Sequence, residues 1–261
     1  MSGKVITVTS GKGGVGKTTT TANLAMALAT LGQKVIAIDA DIGLRNLDLI
    51  MGLESRIVYD LVDVVEGRCS LRQSLVKHKS YPDLFLIPAS QTRDKTAITP
   101  QNMRTIALEL KESHDFILID SPAGIEWGFQ NAIAPADEVI VVTNPEVSAV
   151  RDADRIIGLI EKHDTPLTVR LIVNRVRSGL IRKGEMMSVD DVVSFLAIRL
   201  IGVVPDDENV IKSSNAGMAV VGQAGQAFQD IARRMLGEDI PFPTYDSPSL
   251  LGRFRKLFGN G

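Results

Sequence analysis

Two glycines four residues apart, then a lysine and a threonine, stand near the start of this chain as Gly11-Lys12-Gly13-Gly14-Val15-Gly16-Lys17-Thr18. That spacing builds a phosphate cradle between a strand and a helix. The glycines accept backbone angles that let successive N–H groups turn inward on an anion. A helix starting at Lys17 adds free N–H groups and the positive end of its dipole. Lys17 is placed to neutralise β- and γ-phosphates, and the Thr18 hydroxyl to ligate Mg2+. Thr19 continues the run into the helix. Lys12 brings a second cation into the loop, at a position the general pattern leaves free, where a plain solvated lysine is the other reading.

Carboxylates and amides at strand ends extend the candidate site. Asp120 closes the apolar run Phe116-Ile117-Leu118-Ile119, where a magnesium-organising aspartate acting through water would sit; a turn-capping aspartate is the alternative. Asp39 and Asp41 follow Val35-Ile36-Ala37-Ile38. Two residues apart, they share one side if the backbone stays extended. Either could orient an attacking water, or simply order the loop. Asn174 and Arg175 end a second apolar run, and Pro205 and Asp206 a third. These positions suit the base of a nucleotide, because ligands collect at the carboxyl ends of strands in open α/β sheets.

The elements that must position these residues are legible as alternation. Continuous Val/Ile-rich runs at 5–9, 34–38, 84–87, 116–119, 138–142, 168–173 and 200–203 predict strands buried on both faces of a parallel sheet. Helical patterns lie between or beyond them at 17–31, 101–111, 147–162, 189–198 and 225–236. The fold class is therefore α/β, a doubly wound and mainly parallel sheet with helices on both faces. The organisation predicted is a nucleotide-binding domain over 1–237, a Pro-containing linker over 238–247 and an amphipathic helix over 248–261.

Composition sets bounds on function. With 261 residues, 44% of them apolar and 23% charged, a sizeable core is affordable. A net charge of −2 argues against a protein that coats nucleic acid, and no specific nucleic-acid partner is expected. The single cysteine, Cys69, cannot form an internal disulfide or a cysteine metal site, which suits a reducing compartment such as the cytoplasm. It also argues against iron–sulfur relatives that need paired cysteines. The N-terminus carries no signal-peptide pattern, and no run of 18 apolar residues spans a bilayer.

The tail has a composition of its own. At about 100° per residue, Leu250, Leu251, Phe254, Leu257 and Phe258 fall within an arc of roughly 120°. Arg253, Arg255 and Lys256 fall opposite, with no acid among them. A basic amphipathic helix of this kind lies in the interface of an anionic membrane. So short a helix is marginal in water, so one tail binds weakly; a C-terminal helix packed on its own domain is the other reading.

Lys12-Gly13-Gly14-Val15-Gly16-Lys17-Thr18-Thr19 resembles the deviant P-loop of the MinD/ParA ATPases. Further stretches are similar to the same family: the run from Asp39 to Asp48, Ala89 to Lys95, Asp120-Ser121-Pro122-Ala123-Gly124-Ile125-Glu126 and Thr143-Asn144-Pro145-Glu146-Val147. The resemblance spans essentially the whole chain. It implies ATP as the nucleotide and a homodimer in the ATP state, with Lys12 reaching the partner's phosphates. It implies that Asp41 positions water, with Asp39 as the alternative. It further implies peripheral attachment to the cytoplasmic face of the membrane, recruitment of a MinC-type division inhibitor, and release by a MinE-type activator that stimulates hydrolysis. A partner surface would include Arg151, Asp152, Asp154 and Arg155. A DNA-partitioning or flagellar-positioning ATPase of the same family is the alternative.

Overall fold

The computed structural model describes residues 3–163 and 165–243. The tail residues from Leu250 to Lys256 and on to Phe258 lie outside this range, as does the start of the predicted helix at 248. Eight strands form one sheet: β1 Lys4–Thr9, β2 Val35–Asp39, β3 Val76–Lys77, β4 Leu84–Ile87, β5 Phe116–Asp120, β6 Glu138–Thr143, β7 Thr168–Val176 and β8 Arg199–Pro205. Their order is β3-β4-β2-β5-β1-β6-β7-β8. All pairings are parallel except β3 with β4.

Helices are α1 Lys17–Thr30, α2 Leu47–Ile50, α3 Leu61–Val65, α4 Leu71–Ser74, α5 Pro100–Leu110, α6 Trp127–Ile133, α7 Val147–Ile160, α8 Ser178–Lys183, α9 Val189–Leu196, α10 Asn209–Asn215 and α11 Gly222–Met235. They cover both faces of the sheet. Ile6 and Val8 of β1 pack with the buried face of α1 and with Phe228 and Ile231 of α11. Val5 of the same strand points to the opposite face, where α5 contributes Met103 and Ile106. Farther along that face, α7 buries Val150, Ala153, Ile156 and Ile160 against β6 and β7. Each fully buried side chain of this size contributes about 1.5–3 kcal/mol.

All seven predicted strands are present, and the differences have local causes. β3 has only two residues and runs antiparallel, too short for a hydrophobic period to reveal it. β7 runs three residues past the expected 173 and carries a register shift between Val173 and Val176. Helix α5 starts at Pro100, because Thr99 and Asn102 form a capping box around a proline in the first turn. α2, α3, α4, α6, α8 and α10 have four to seven residues each, again too few to show periodicity.

The strand order decides where chemistry can occur. β5 inserts between β1 and β2, so Val8, Asp120 and Asp39 stand in one register row across three strands. Both acids therefore meet beside the turn that leaves β1.

Candidate nucleotide site

That turn is the glycine-rich loop. Ser10 Oγ donates to the Lys12 carbonyl at 3.0 Å and tightens its start. Gly14 and Gly16 take φ of 80° and 94°, in the left-handed region that favours glycine. A Cβ on Gly16 would also stand 2.3 Å from Asn174 Nδ2. At Gly13 and Gly14 a Cβ would meet nothing within 4 Å, so the loop's outer face stays open for a ligand to approach the backbone. α1 begins at Lys17 without a side-chain cap, which leaves its first N–H groups and its positive dipole end directed at the loop.

Lys17 is buried, and its Nζ lies 3.1 Å from Asp120 Oδ1. Thr21, one turn on, donates to the same oxygen at 3.1 Å and to the Lys17 carbonyl at 3.1 Å. Thr18 is half-buried at the helix start, next to this cluster. Among the described residues no group of three or more His, Cys, Asp or Glu gathers to hold a metal. One hydroxyl and one carboxylate are the donor set that Mg2+ uses when phosphates and waters complete its shell, so the residues present fit a magnesium nucleotide.

Asp39 and Asp41 do not share an extended strand. β2 stops at Asp39, and the chain turns so that the Asp41 N–H donates to Asp39 Oδ1 at 3.0 Å. The other carboxylate oxygen of Asp39 accepts from Asn46 N–H and Leu47 N–H, each at 3.1 Å. Asp39 is fully buried and thus ties down the loop from 41 to 47. Burial first, then the neighbouring Asp120 charge, raises its carboxyl from 3.8 to about 7, against the lowering effect of the Asp41 and Leu47 N–H bonds. Asp41 is half-buried and lines a small cavity with Pro122, Ala123 and Glu126.

The predicted base-binding residues come together. Asn174, Arg175, Pro205 and Asp206 line one cavity of about 350 Å³ with Gly16 and Thr19. Asn174 has a second task, donating from Nδ2 to the Val15 carbonyl at 2.8 Å and so clamping the loop from below. Arg175 sits at the β7 irregularity with φ of 55°, which re-aims the chain at the site. Asp206 pairs with Arg177 Nε at 2.6 Å. Lys12 is exposed and reaches α7, with Nζ 3.4 Å from Ser148 Oγ. Gly11 packs directly on the α7 backbone, where a Cβ would stand 2.1 Å from the Asp152 carbonyl oxygen.

Residues 6–220 match the model of the CobQ/CobB/MinD/ParA nucleotide binding domain. The chain belongs to the MinD/ParA family. The septum site-determining protein MinD of Bacillus subtilis (strain 168) is 52% identical over 264 residues, covering 98% of each chain. That of Escherichia coli (strain K12) is 46% identical over 268 residues, covering 98% of this chain and 99% of that protein. The Aquifex aeolicus MinC:MinD cell division protein complex contains a chain 48% identical to this one, with a TM-score of 0.86 over 93% of this chain and 100% of that one. MinD of Pyrococcus horikoshii OT3, complexed with Mg-ADP, superposes with a TM-score of 0.80 at 29% identity, covering 89% of this chain and 95% of that one.

For a MinD/ParA protein, Thr21 and Ser148 are the residues that sequence reading passed over. Thr21 stands four positions after Lys17, which puts both on one helix face, so the i,i+4 rule could have found it. Ser148 had no local signal, because its role depends on α7 lying against the loop.

Proposed function

We propose that this chain is a magnesium-dependent ATPase that dimerises on ATP, attaches to the cytoplasmic face of the membrane and marks the site of cell division. The observation that carries this reading is the buried cluster of Lys17, Thr21 and Asp120 at the mouth of an open glycine cradle. Magnesium, when bound, neutralises charge on the β- and γ-phosphates. Lys17 binds those phosphates, while Thr18 and Asp120, the latter through water, hold the ion. Asp41 orients the attacking water. Asp39 holds Asp41 in place, since both of its oxygens already accept backbone N–H groups. Asn174, Arg175, Pro205 and Asp206 seat the base. Lys12, exposed at the loop's rim, supplies a cation to the phosphates of a second copy.

The tail supplies the membrane step. Five large apolar residues and three cations read as an anchor too weak alone and adequate in pairs. The Aquifex MinC:MinD complex supports a MinC-type inhibitor as a partner. A MinE-type activator then ends attachment by stimulating hydrolysis. The test is co-sedimentation of the full chain with anionic liposomes under ATP and under ADP, with phosphate release measured in parallel. Strong binding under ATP, lost in Lys12→Ala, is expected. Equal binding under both nucleotides overturns the reading.

A further inference from the structure

The end of α11 is closed by a Schellman turn. Gly237, at φ 94°, donates to the Arg234 carbonyl at 3.0 Å, and Glu238 N–H donates to the Arg233 carbonyl at 3.1 Å. The chain beyond this cap stays against the domain. Arg234 turns back over it and uses three guanidinium nitrogens. Nε donates to the Ile240 carbonyl at 2.9 Å and Nη2 to the Pro241 carbonyl at 3.0 Å. Nη1 donates to the Ile201 carbonyl of β8 at 3.1 Å, and the guanidinium carbon lies 4.2 Å from the centre of the Phe242 ring.

Among the described residues β8 ends the sheet, so its outer carbonyls face no further strand. Arg234 thus ties a short strap, residues 238–242, to the sheet edge. Only the planar fork of arginine can serve three carbonyls and a ring face at once; lysine has one flexible ammonium. Arg234 is half-buried, and burial lowers its pKa, yet arginine stays charged at any physiological pH. The rest of α11 packs on α1 and β8, the elements that carry Lys17 and Pro205. The strap is therefore fixed to the nucleotide-binding body.

We propose that Arg234 is a positioning residue for membrane attachment: its grip moves the root of the tail from the end of α11 to Pro243 on the β8 edge. This rests on the reading of residues 248–261 as the membrane-binding segment. With the grip, five residues, 243–247, separate body from anchor. Without it the separation is nine residues, 239–247. Effective concentration falls as about the −3/2 power of tether length, so release weakens paired attachment by about two- to three-fold.

The experiment compares full-length wild type, Arg234→Met, Arg234→Lys and a wild type carrying four Gly/Ser residues inserted after Pro243. Each is loaded with ATP and titrated with phosphatidylglycerol-containing vesicles. Glutamyl-endopeptidase cleavage after Glu238 reports the strap, and sedimentation without lipid reports dimerisation. Arg234→Met is expected to cleave faster, dimerise as wild type does, and lose two- to three-fold in vesicle affinity, matching the insertion. Arg234→Lys is expected to fall between. Unchanged cleavage in Arg234→Met, or faster cleavage with wild-type vesicle affinity, overturns the proposal. Failure of wild type itself to bind vesicles under ATP overturns the membrane reading beneath it, which the cleavage arm distinguishes.

Discussion

Lys17 Nζ and Asp120 Oδ1 stand 3.1 Å apart, with both side chains buried. The cation and the anion that the proposed function assigns to phosphate and to magnesium are thus partners within the chain. Removing one leaves the other as an unpaired buried charge, which costs about 3–5 kcal/mol. Lys17→Met is expected to lose both nucleotide binding and about that much stability in denaturant unfolding. Lys17→Met combined with Asp120→Asn should lose less stability than the two single changes summed. A strictly additive cycle would show that the pair is not coupled.

Asp39 sets a pH dependence of unusual sign. Its carboxyl titrates near 7 in the folded chain and near 3.8 in the unfolded one. Between those values the folded state holds the extra proton, so this group's contribution to stability declines as pH rises from about 4 to about 7 and then levels off. Asp39→Asn removes that component. Unfolding midpoints at pH 5 and pH 8 should differ less in the variant than in wild type, after the same correction for other groups. An unchanged difference would assign the slope elsewhere.

Gly16 meets two constraints at once, its φ of 94° and the amide of Asn174. Gly16→Ala strains the loop by about 1–3 kcal/mol. Nucleotide affinity, read by calorimetry, should fall about tenfold or more. Adding Asn174→Gly clears the clash but not the backbone angle, so affinity should stay low. Full recovery in the double variant would mean that contact, not conformation, requires glycine.

Asp41→Ala separates binding from hydrolysis. The variant keeps the cradle and Asp39, so it should bind ATP as wild type does. Single-turnover phosphate release should fall by about a hundredfold or more, the scale of losing one positioned acid–base group. Under the proposed function the ATP-loaded variant stays on anionic vesicles. Wild-type turnover in Asp41→Ala would point back to Asp39.

Much of this was legible in the sequence, for specific reasons. Glycine spacing and the following lysine encode the cradle directly, because only that backbone turns N–H groups inward there. Long buried strands such as β6 announce themselves by unbroken Val and Ile. What escaped depended on tertiary placement. The Asp39–Asp120 proximity needs β5 between β1 and β2, which no local pattern states. The extended pairing of Asp39 with Asp41 failed because an Asx turn competes with a strand once a carboxylate can reach the N–H two residues on. The Pro-containing linker after α11 is in part a strap, because Arg234 lies on the helix face that meets the β8 edge.

Gly11 presses its backbone against the carbonyl of Asp152. No side chain cushions that contact, so a tilt of α7 there is a collision with the first glycine of the cradle. A load on the outer face of this helix is therefore passed to the glycine-rich loop through backbone alone.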